Sequence, residues 1–125
     1  MKKYITGDLL HYKICNAKCL IEVTNTSKHG YCFKGVKDNF NGVICDEFIE
    51  DIPLTPEILE KNGWKLSHGF YWSPNEEGAG VGLSSQTGYV WDAYIGRNPL
   101  RSNINNVSDL QHLLFGLGIN HEMEV

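Results

Sequence analysis

The two arginines of the chain are the residues whose type and spacing best suit ligand binding. Arg97 and Arg101 lie four positions apart in a loop rich in Gly, Pro and Asn, residues 95–106, and the other nine basic residues are lysines. The planar guanidinium group binds phosphate or carboxylate through two hydrogen bonds, which lysine cannot do. The pair therefore predicts a site for a small anion. A purely structural role would instead pair the arginines with surface acids such as Asp92 or Asp109.

Aromatic side chains lie close to these arginines along the chain. The arginine loop directly follows an aromatic stretch, residues 89–95. Stacking of a ring on a base contributes about 1–3 kcal/mol, which is comparable with a charge-assisted hydrogen bond. We therefore expect a nucleotide-like anion as the ligand. The expected ligand-binding residues are Arg97, Asn98, Arg101 and Asn103, together with the rings of Trp72, Tyr89, Trp91 and Tyr94.

No combination of residues predicts a catalytic or metal centre. The Gly-rich segment 78–82 lacks the Lys-Ser/Thr ending of a phosphate-binding loop, so we interpret it as a hairpin tip that could cover a pocket. Cys15 and Cys19 resemble half of a zinc knuckle, but Cys32 and Cys45 lie too far apart to supply the second half. We therefore expect thiols that pack as small apolar groups, with no cofactor and no metal.

The composition is that of an ordinary folded domain. The chain has 125 residues, of which 42% are hydrophobic and 21% charged, and its net charge is −4. This length predicts one domain over residues 1–125, and the acidic balance differs from the basic excess of general nucleic-acid-binding proteins. No apolar run approaches the roughly 20 residues of a membrane helix, and none follows the basic start as in a signal peptide. We expect a cytoplasmic protein that binds neither membranes nor nucleic acids in general.

The first part of the chain, residues 1–51, predicts a bent antiparallel β meander or a small barrel. Short apolar runs separated by polar turns predict its strands, which are residues 9–14, 19–24, 31–33, 43–45 and 48–49. Tyr31 and Phe33 are expected on one face of a strand because side chains alternate. The Asn41-Gly42 pair predicts a tight hairpin turn, since both central positions of that turn favour a positive φ.

The second part, residues 52–125, predicts a short helix, a second antiparallel sheet and a C-terminal helix. Thr55 is expected to cap the first helix, and Asn62-Gly63 to end it. Ser108 and Gln111 predict a capping box at the start of the last helix. The strands of the second sheet are predicted at residues 64–66, 70–72, 81–83 and 89–95. The whole chain is therefore expected to be an α+β domain.

Two helical segments resemble the sequence motifs of a family of small uncharacterised proteins from phages, prophages and mobile elements of gut bacteria. Residues 52–64 are similar to its PLT-x-x-x-L-x-x-x-GF pattern, and residues 107–115 are similar to its LQNLYFALTG-x-EL helix. The likeness begins at Gly7. The chain departs from this pattern at Trp64, at residues 112–114 and at residues 118–121. The resemblance implies a phage or mobile-element origin and supplies no chemistry, because the matched residues are helix caps and core positions.

Three functions agree with these observations. We expect a non-catalytic phage-type protein that acts in the cytoplasm of the bacterial host. It would bind and sequester a small anionic nucleotide-like ligand, such as a host immune signal, and so act as an anti-defence protein. It could form a homo-oligomer, because pockets shared between subunits often bind ligands. One alternative is inhibition of a host protein by acidic residues that imitate nucleic acid, namely Glu47, Glu50, Asp51 and Glu60. The other alternative is a hydrolase of a small phosphorylated substrate. The base and the nucleophile of such an enzyme would be brought together only by the fold.

Overall fold

The computed structural model describes residues 4–14, 17–28, 30–74 and 80–125. It confirms an α+β chain with two antiparallel sheets, a short helix and a C-terminal helix. The chain divides into two compact units, which are unit 1 (Met1–Ile52 and Asn106–Met123) and unit 2 (Pro53–Asn105 and Glu124–Val125). The C-terminal helix therefore belongs to the same unit as the first sheet, and not with the second sheet as predicted.

Unit 1 is built on a five-stranded antiparallel sheet. Its strands are β1 (Leu9–Ile14), β2 (Ala17–Ser27), β3 (Gly30–Gly35), β4 (Asn41–Ile44) and β5 (Ile49–Glu50). They lie in the order β4-β3-β2-β1-β5, so that each strand up to β4 pairs with the one before it and β5 returns to pair with β1. The predicted meander is confirmed. The sheet does not close into a barrel within the described residues, because β4 and β5 at its edges are not paired with each other.

The core of unit 1 collects the inward-facing side chains of these strands. Leu10, Ile21 and Val23 are completely buried, and Tyr31 and Phe33 alternate with more exposed neighbours along β3. This confirms that Tyr31 and Phe33 share one face. Each fully buried aliphatic side chain of this kind stabilises the folded state by about 1.5–3 kcal/mol.

The predicted hairpin turn at Asn41-Gly42 is wrong. Both residues lie inside β4, and the chain reverses earlier, where the Gly35 N–H donates to the Phe40 carbonyl at 2.7 Å. Asn-Gly is favoured in tight turns because both residues tolerate a positive φ, and neither adopts one here. Gly42 instead packs against the ring of Phe33, since a Cβ added to it would lie 3.3 Å from that ring.

Unit 2 contains the first helix and the second sheet. In the helix α1 (Pro56–Lys61), the Thr55 hydroxyl accepts a hydrogen bond from the Ile58 N–H at 3.3 Å, and Gly63 ends it with φ +85°, as predicted. The sheet has the order β10-β9-β8-β7-β6. Its strands are β6 (Lys65–Ser67), β7 (Phe70–Trp72), β8 (Val81–Ser84), β9 (Trp91–Ile95) and β10 (Asn98–Ile104).

The arginine segment forms the edge strand β10 and not the loop that its composition indicates. Gly96, with φ +58°, lets the chain reverse tightly after β9. Pro99 is tolerated because an edge strand has one side without ladder hydrogen bonds. The pairing of β10 with β9 shifts register on both sides of Arg101, and Asn103 adopts φ +58°, a conformation that Asn tolerates better than most residues.

The C-terminal helix α2 (Val107–Gly116) begins differently from the prediction. Asn106 is its N-cap, because its side-chain oxygen accepts from the Asp109 N–H at 2.8 Å. Ser108 lies within the first turn, and its hydroxyl donates to the same Asn106 oxygen at 2.8 Å. The predicted capping box is therefore wrong, and Gln111 is completely buried instead. Neither helix of the described chain is long and apolar enough to span a membrane.

Candidate ligand-binding site

An open groove lies along β9 and β10 of unit 2. Its volume is about 330 Å³, and it is lined by Asp92, Ala93, Tyr94, Pro99, Leu100, Arg101 and Ser102. Side chains alternate along a strand, so Asp92 and Tyr94 share one face of β9 while Ala93 between them is completely buried on the other. Of the eight residues that the sequence assigned to a ligand site, Tyr94 and Arg101 line this groove. Tyr94 pairs with Pro99 across the ladder, whereas Arg101 pairs with Ala93.

The groove contains one cation and one carboxylate. The side chain of Arg101 is exposed, and that of Asp92 is half-buried. Within the described residues, no hydrogen-bond donor or cation contacts the Asp92 carboxylate. An ionised carboxylate only accepts hydrogen bonds. The groove therefore offers the Asp92 carboxylate to a hydrogen-bond donor, with Arg101 among its lining residues.

Aromatic rings continue from the groove across the same face of the sheet. The Phe70 ring lies edge-on to Tyr94 at 5.6 Å between centroids, and 5.6 Å from the Trp72 ring. The Trp72 indole rests on Gly82, where an added Cβ would lie 2.9 Å from the ring, and its N–H donates to the Ser67 carbonyl at 3.3 Å. One face of the half-buried indole therefore lies against the strand β8. We call Phe70, Trp72 and Tyr94 the ring row.

Trp72 belongs to the ring row, and the other five predicted ligand residues lie outside both the groove and the ring row. Trp91 is only 3% exposed, and its indole N–H donates to a backbone carbonyl at 3.0 Å, so it is a core residue of unit 2. Tyr89 is 76% exposed and precedes β9. Arg97 lies in the turn between β9 and β10, and Asn98 and Asn103 are exposed on β10 without lining the groove.

Two residues of the site were missed although the sequence carried a signal for each. Asp92 alternates with Trp91 and therefore shares the face of Tyr94, but it was interpreted as a partner for arginine. Phe70 shares a face with Trp72 because the two are two positions apart on one strand. The alternation of side chains along each strand thus predicts which aromatic residues lie in the core and which lie at the surface. Closeness to the arginines in the sequence does not predict this.

Unit 1 contains an Asp–His pair that no spacing could reveal, because its members are 104 positions apart. The His112 Nε2 lies 2.6 Å from the Asp8 Oδ2, and Asp8 is completely buried. Oδ2 also accepts from the Ile5 N–H at 2.9 Å, whereas Oδ1 is buried without a partner in the described structure. A carboxylate that orients an imidazole supplies two of the three members of a catalytic triad. No nucleophile in the described part of the chain contacts this imidazole.

Cysteine and histidine residues do not converge on a metal site within the described residues. No group of three or more His, Cys, Asp or Glu side chains is placed to hold an ion there. The thiols of Cys19 and Cys32 are half-buried, and that of Cys45 is exposed. Cys15 of the suggested zinc knuckle and residues 78–79 of the Gly-rich segment lie outside the described residues.

The chain was compared with protein-family models, with curated proteins and with solved structures. None of these comparisons gives a match. The groove and the ring row must therefore be interpreted from their own chemistry.

Proposed function

We propose that unit 2 binds a small anionic ligand of nucleotide type in the groove along β9 and β10 and sequesters it without catalysis. The observation that carries this proposal is the presence of Arg101, Asp92 and Tyr94 in one groove next to the ring row. A guanidinium group can form two hydrogen bonds with a phosphate, and rings of this kind stack on bases. The groove volume lies at the lower end of the range of about 300–1,000 Å³ for small-molecule sites.

The biological role we propose follows from the resemblance to phage and mobile-element proteins. A protein that binds a host signal nucleotide and does not turn it over would lower the concentration of the free signal. An open groove on the face of a sheet agrees with binding, because catalysis usually requires a site that excludes water. We therefore propose sequestration as an anti-defence function.

Two alternatives are less well supported. Docking on a host protein through acidic residues is weakened because three of the four acids are already engaged. Glu50 pairs with Lys18 at 3.1 Å, Asp51 accepts from the Tyr4 hydroxyl at 3.0 Å, and Glu60 accepts from the Tyr71 hydroxyl at 3.4 Å. Burial, together with the Asp51 charge, raises the pKa of Tyr4 well above its ordinary value. A hydrolase would have to use the Asp8–His112 pair, which is the one observation in its favour.

A thermal-unfolding screen against nucleotides, followed by mass spectrometry of each mixture, tests the proposal. A ligand at 100 times its Kd stabilises the folded state by about 2.7 kcal/mol, which raises the Tm by several degrees. We expect a nucleotide to raise the Tm and to be recovered intact. Recovery of a cleaved nucleotide would support the hydrolase, and an unchanged Tm with every nucleotide would contradict the proposal.

A further inference from the structure

The Asp8–His112 pair of unit 1 has the features of a general-base site. The geometry points to a second activity of the chain, which is the hydrolysis of small uncharged esters of carboxylic acids. His112 is the catalytic base of this activity, and Asp8 is the positioning residue that acts through it. This inference is independent of nucleotide binding by unit 2.

Asp8 determines which nitrogen of His112 can take up a proton. The His112 Nε2 lies 2.6 Å from the Asp8 Oδ2, and an ionised carboxylate only accepts hydrogen bonds, so this nitrogen carries the hydrogen atom. In a neutral imidazole the other nitrogen, Nδ1, then has a free lone pair. None of the described residues donates a hydrogen bond to Nδ1. This nitrogen is therefore available to a water molecule.

The carboxylate of the pair is buried, whereas the imidazole reaches the surface. Asp8 is completely buried, and its Oδ2 also accepts from the Ile5 N–H at 2.9 Å. Its Oδ1 is buried without a partner among the described residues. Such an atom is costly and calls for an explanation, of which a catalytic role is one. The His112 side chain is 28% exposed, so a substrate can reach it.

Open space lies beside the imidazole on α2. Gly116 follows His112 by four positions, and residues four apart are neighbours on the surface of a helix. A Cβ added to Gly116 would meet no atom within 4 Å beyond its chain neighbours and the helix backbone. Phe115, three positions after His112, is 58% exposed. The surface beside His112 therefore offers room for a small substrate and an apolar ring for it to pack against.

The charges near this site favour an uncharged substrate. The chain has no lysine or arginine after Arg101, and its acidic residues there are Asp109, Glu122 and Glu124. A phosphate at His112 would be repelled by the buried carboxylate of Asp8, and neither α2 nor the segment after it contains a lysine or arginine to bind it. An uncharged ester is not repelled in this way.

The reaction needs no reactant other than water. A water molecule attacks the carbonyl carbon of the ester while Nδ1 takes one of its protons. The tetrahedral intermediate then collapses, the bond from the carbonyl carbon to the alcohol oxygen breaks, and the imidazolium gives its proton to the departing oxygen. The products are a carboxylic acid and an alcohol. Asp8 stabilises the imidazolium that exists between the two proton transfers.

Hydrolysis of p-nitrophenyl acetate by the full chain, followed at pH 8 as release of p-nitrophenolate above the buffer rate, tests the inference. His112→Gln should lower kcat/KM by about a hundredfold, because a general base contributes roughly 10²–10⁴-fold. His68→Asn is the matched control. His68 is exposed and contacts the Ser67 hydroxyl and not a carboxylate, and asparagine tolerates its φ of +52°. We expect this variant to keep the kcat/KM of the parent chain.

Two further measurements separate catalysis from stability. Gly116→Leu fills the open space and should raise KM without lowering the Tm, because leucine is a better helix former than glycine. Long-range ¹H–¹⁵N NMR spectra of the unchanged chain should show the neutral His112 with its hydrogen on Nε2. Asp8→Asn should lower kcat and leave KM unchanged, because Asp8 acts on the imidazole and not on the ester.

Several results would overturn the inference. These are a parent chain no faster than buffer, equal rates of the parent chain and His112→Gln, and a His112 hydrogen on Nδ1. Loss of the activity in EDTA would assign it to a bound metal ion and would also overturn the inference. All of these results leave nucleotide binding by unit 2 intact, which the thermal-unfolding screen tests separately.

Discussion

The packing of Trp72 on Gly82 predicts that one methyl group will disturb the ring row. A Cβ at position 82 would lie 2.9, 3.1 and 3.2 Å from three carbons of the indole, distances that real Cβ atoms rarely or never show. Gly82→Ala must therefore displace the ring, which its hydrogen bond to Ser67 and its contact with Phe70 oppose. Overpacking of this kind costs about 1–3 kcal/mol. We expect the free energy of unfolding in urea to fall by this amount.

Gly80→Ala is the matched control. A Cβ at position 80 would lie 3.7–3.8 Å from its nearest neighbours, which is ordinary van der Waals contact, and Gly80 has no positive φ. We expect this variant to be neutral or to stabilise by about 0.4–1 kcal/mol, because alanine restricts the unfolded chain. Acrylamide quenching of tryptophan fluorescence should rise in Gly82→Ala only, as Trp64 and Trp91 are buried. Equal unfolding free energies in the two variants would refute the packing argument.

Two further predictions concern unit 1. Gln111→Leu should lower the free energy of unfolding by about 2–4 kcal/mol. The buried amide makes three hydrogen bonds of 2.8–3.1 Å to backbone groups, and these groups would lose their partner. A loss under about 1 kcal/mol in urea titrations would contradict this prediction. Burial, with a smaller effect of Lys18, lowers the pKa of His11 below 6.5. The unfolded chain therefore takes up this proton first, and stability is lost as the pH falls from 6.5 toward the lowered pKa. His11→Gln should make the loss of stability between pH 7.5 and 5 shallower, and an unchanged slope would show that His11 does not contribute.

Local signals in the sequence predicted those elements that are stabilised by contacts between residues close together in the sequence. The cap at Thr55 and the stop at Asn62-Gly63 were predicted correctly, because the hydrogen bonds that begin and end α1 join residues close in sequence. Most strands were also predicted, since their apolar runs are bounded by polar turns. Local signals failed where two candidates competed within a few positions. Asn106 and not Ser108 caps α2, and the Asn41-Gly42 pair lies in a strand.

The site depends on contacts that a linear pattern does not contain. Tyr94 and Arg101 were predicted together, but the groove exists because a tight turn makes β10 an edge strand beside β9. Trp91 was assigned to the ligand because it is adjacent to the arginine segment, although alternation along β9 directs it into the core. The Asp8–His112 pair joins the start and the end of unit 1, and only the fold brings these residues together.

Exchange of the two arginines for alanine, one at a time, tests the central claim most directly. Arg101 lines the groove, whereas Arg97 lies outside it, and both substitutions remove the same charge. In calorimetric titrations with the nucleotide that raises the Tm most, we expect Arg101→Ala to bind about tenfold more weakly and Arg97→Ala to stay within about threefold of the parent chain. Equal affinities of the two variants, or a larger loss in Arg97→Ala, would contradict the assignment of the groove as the ligand site.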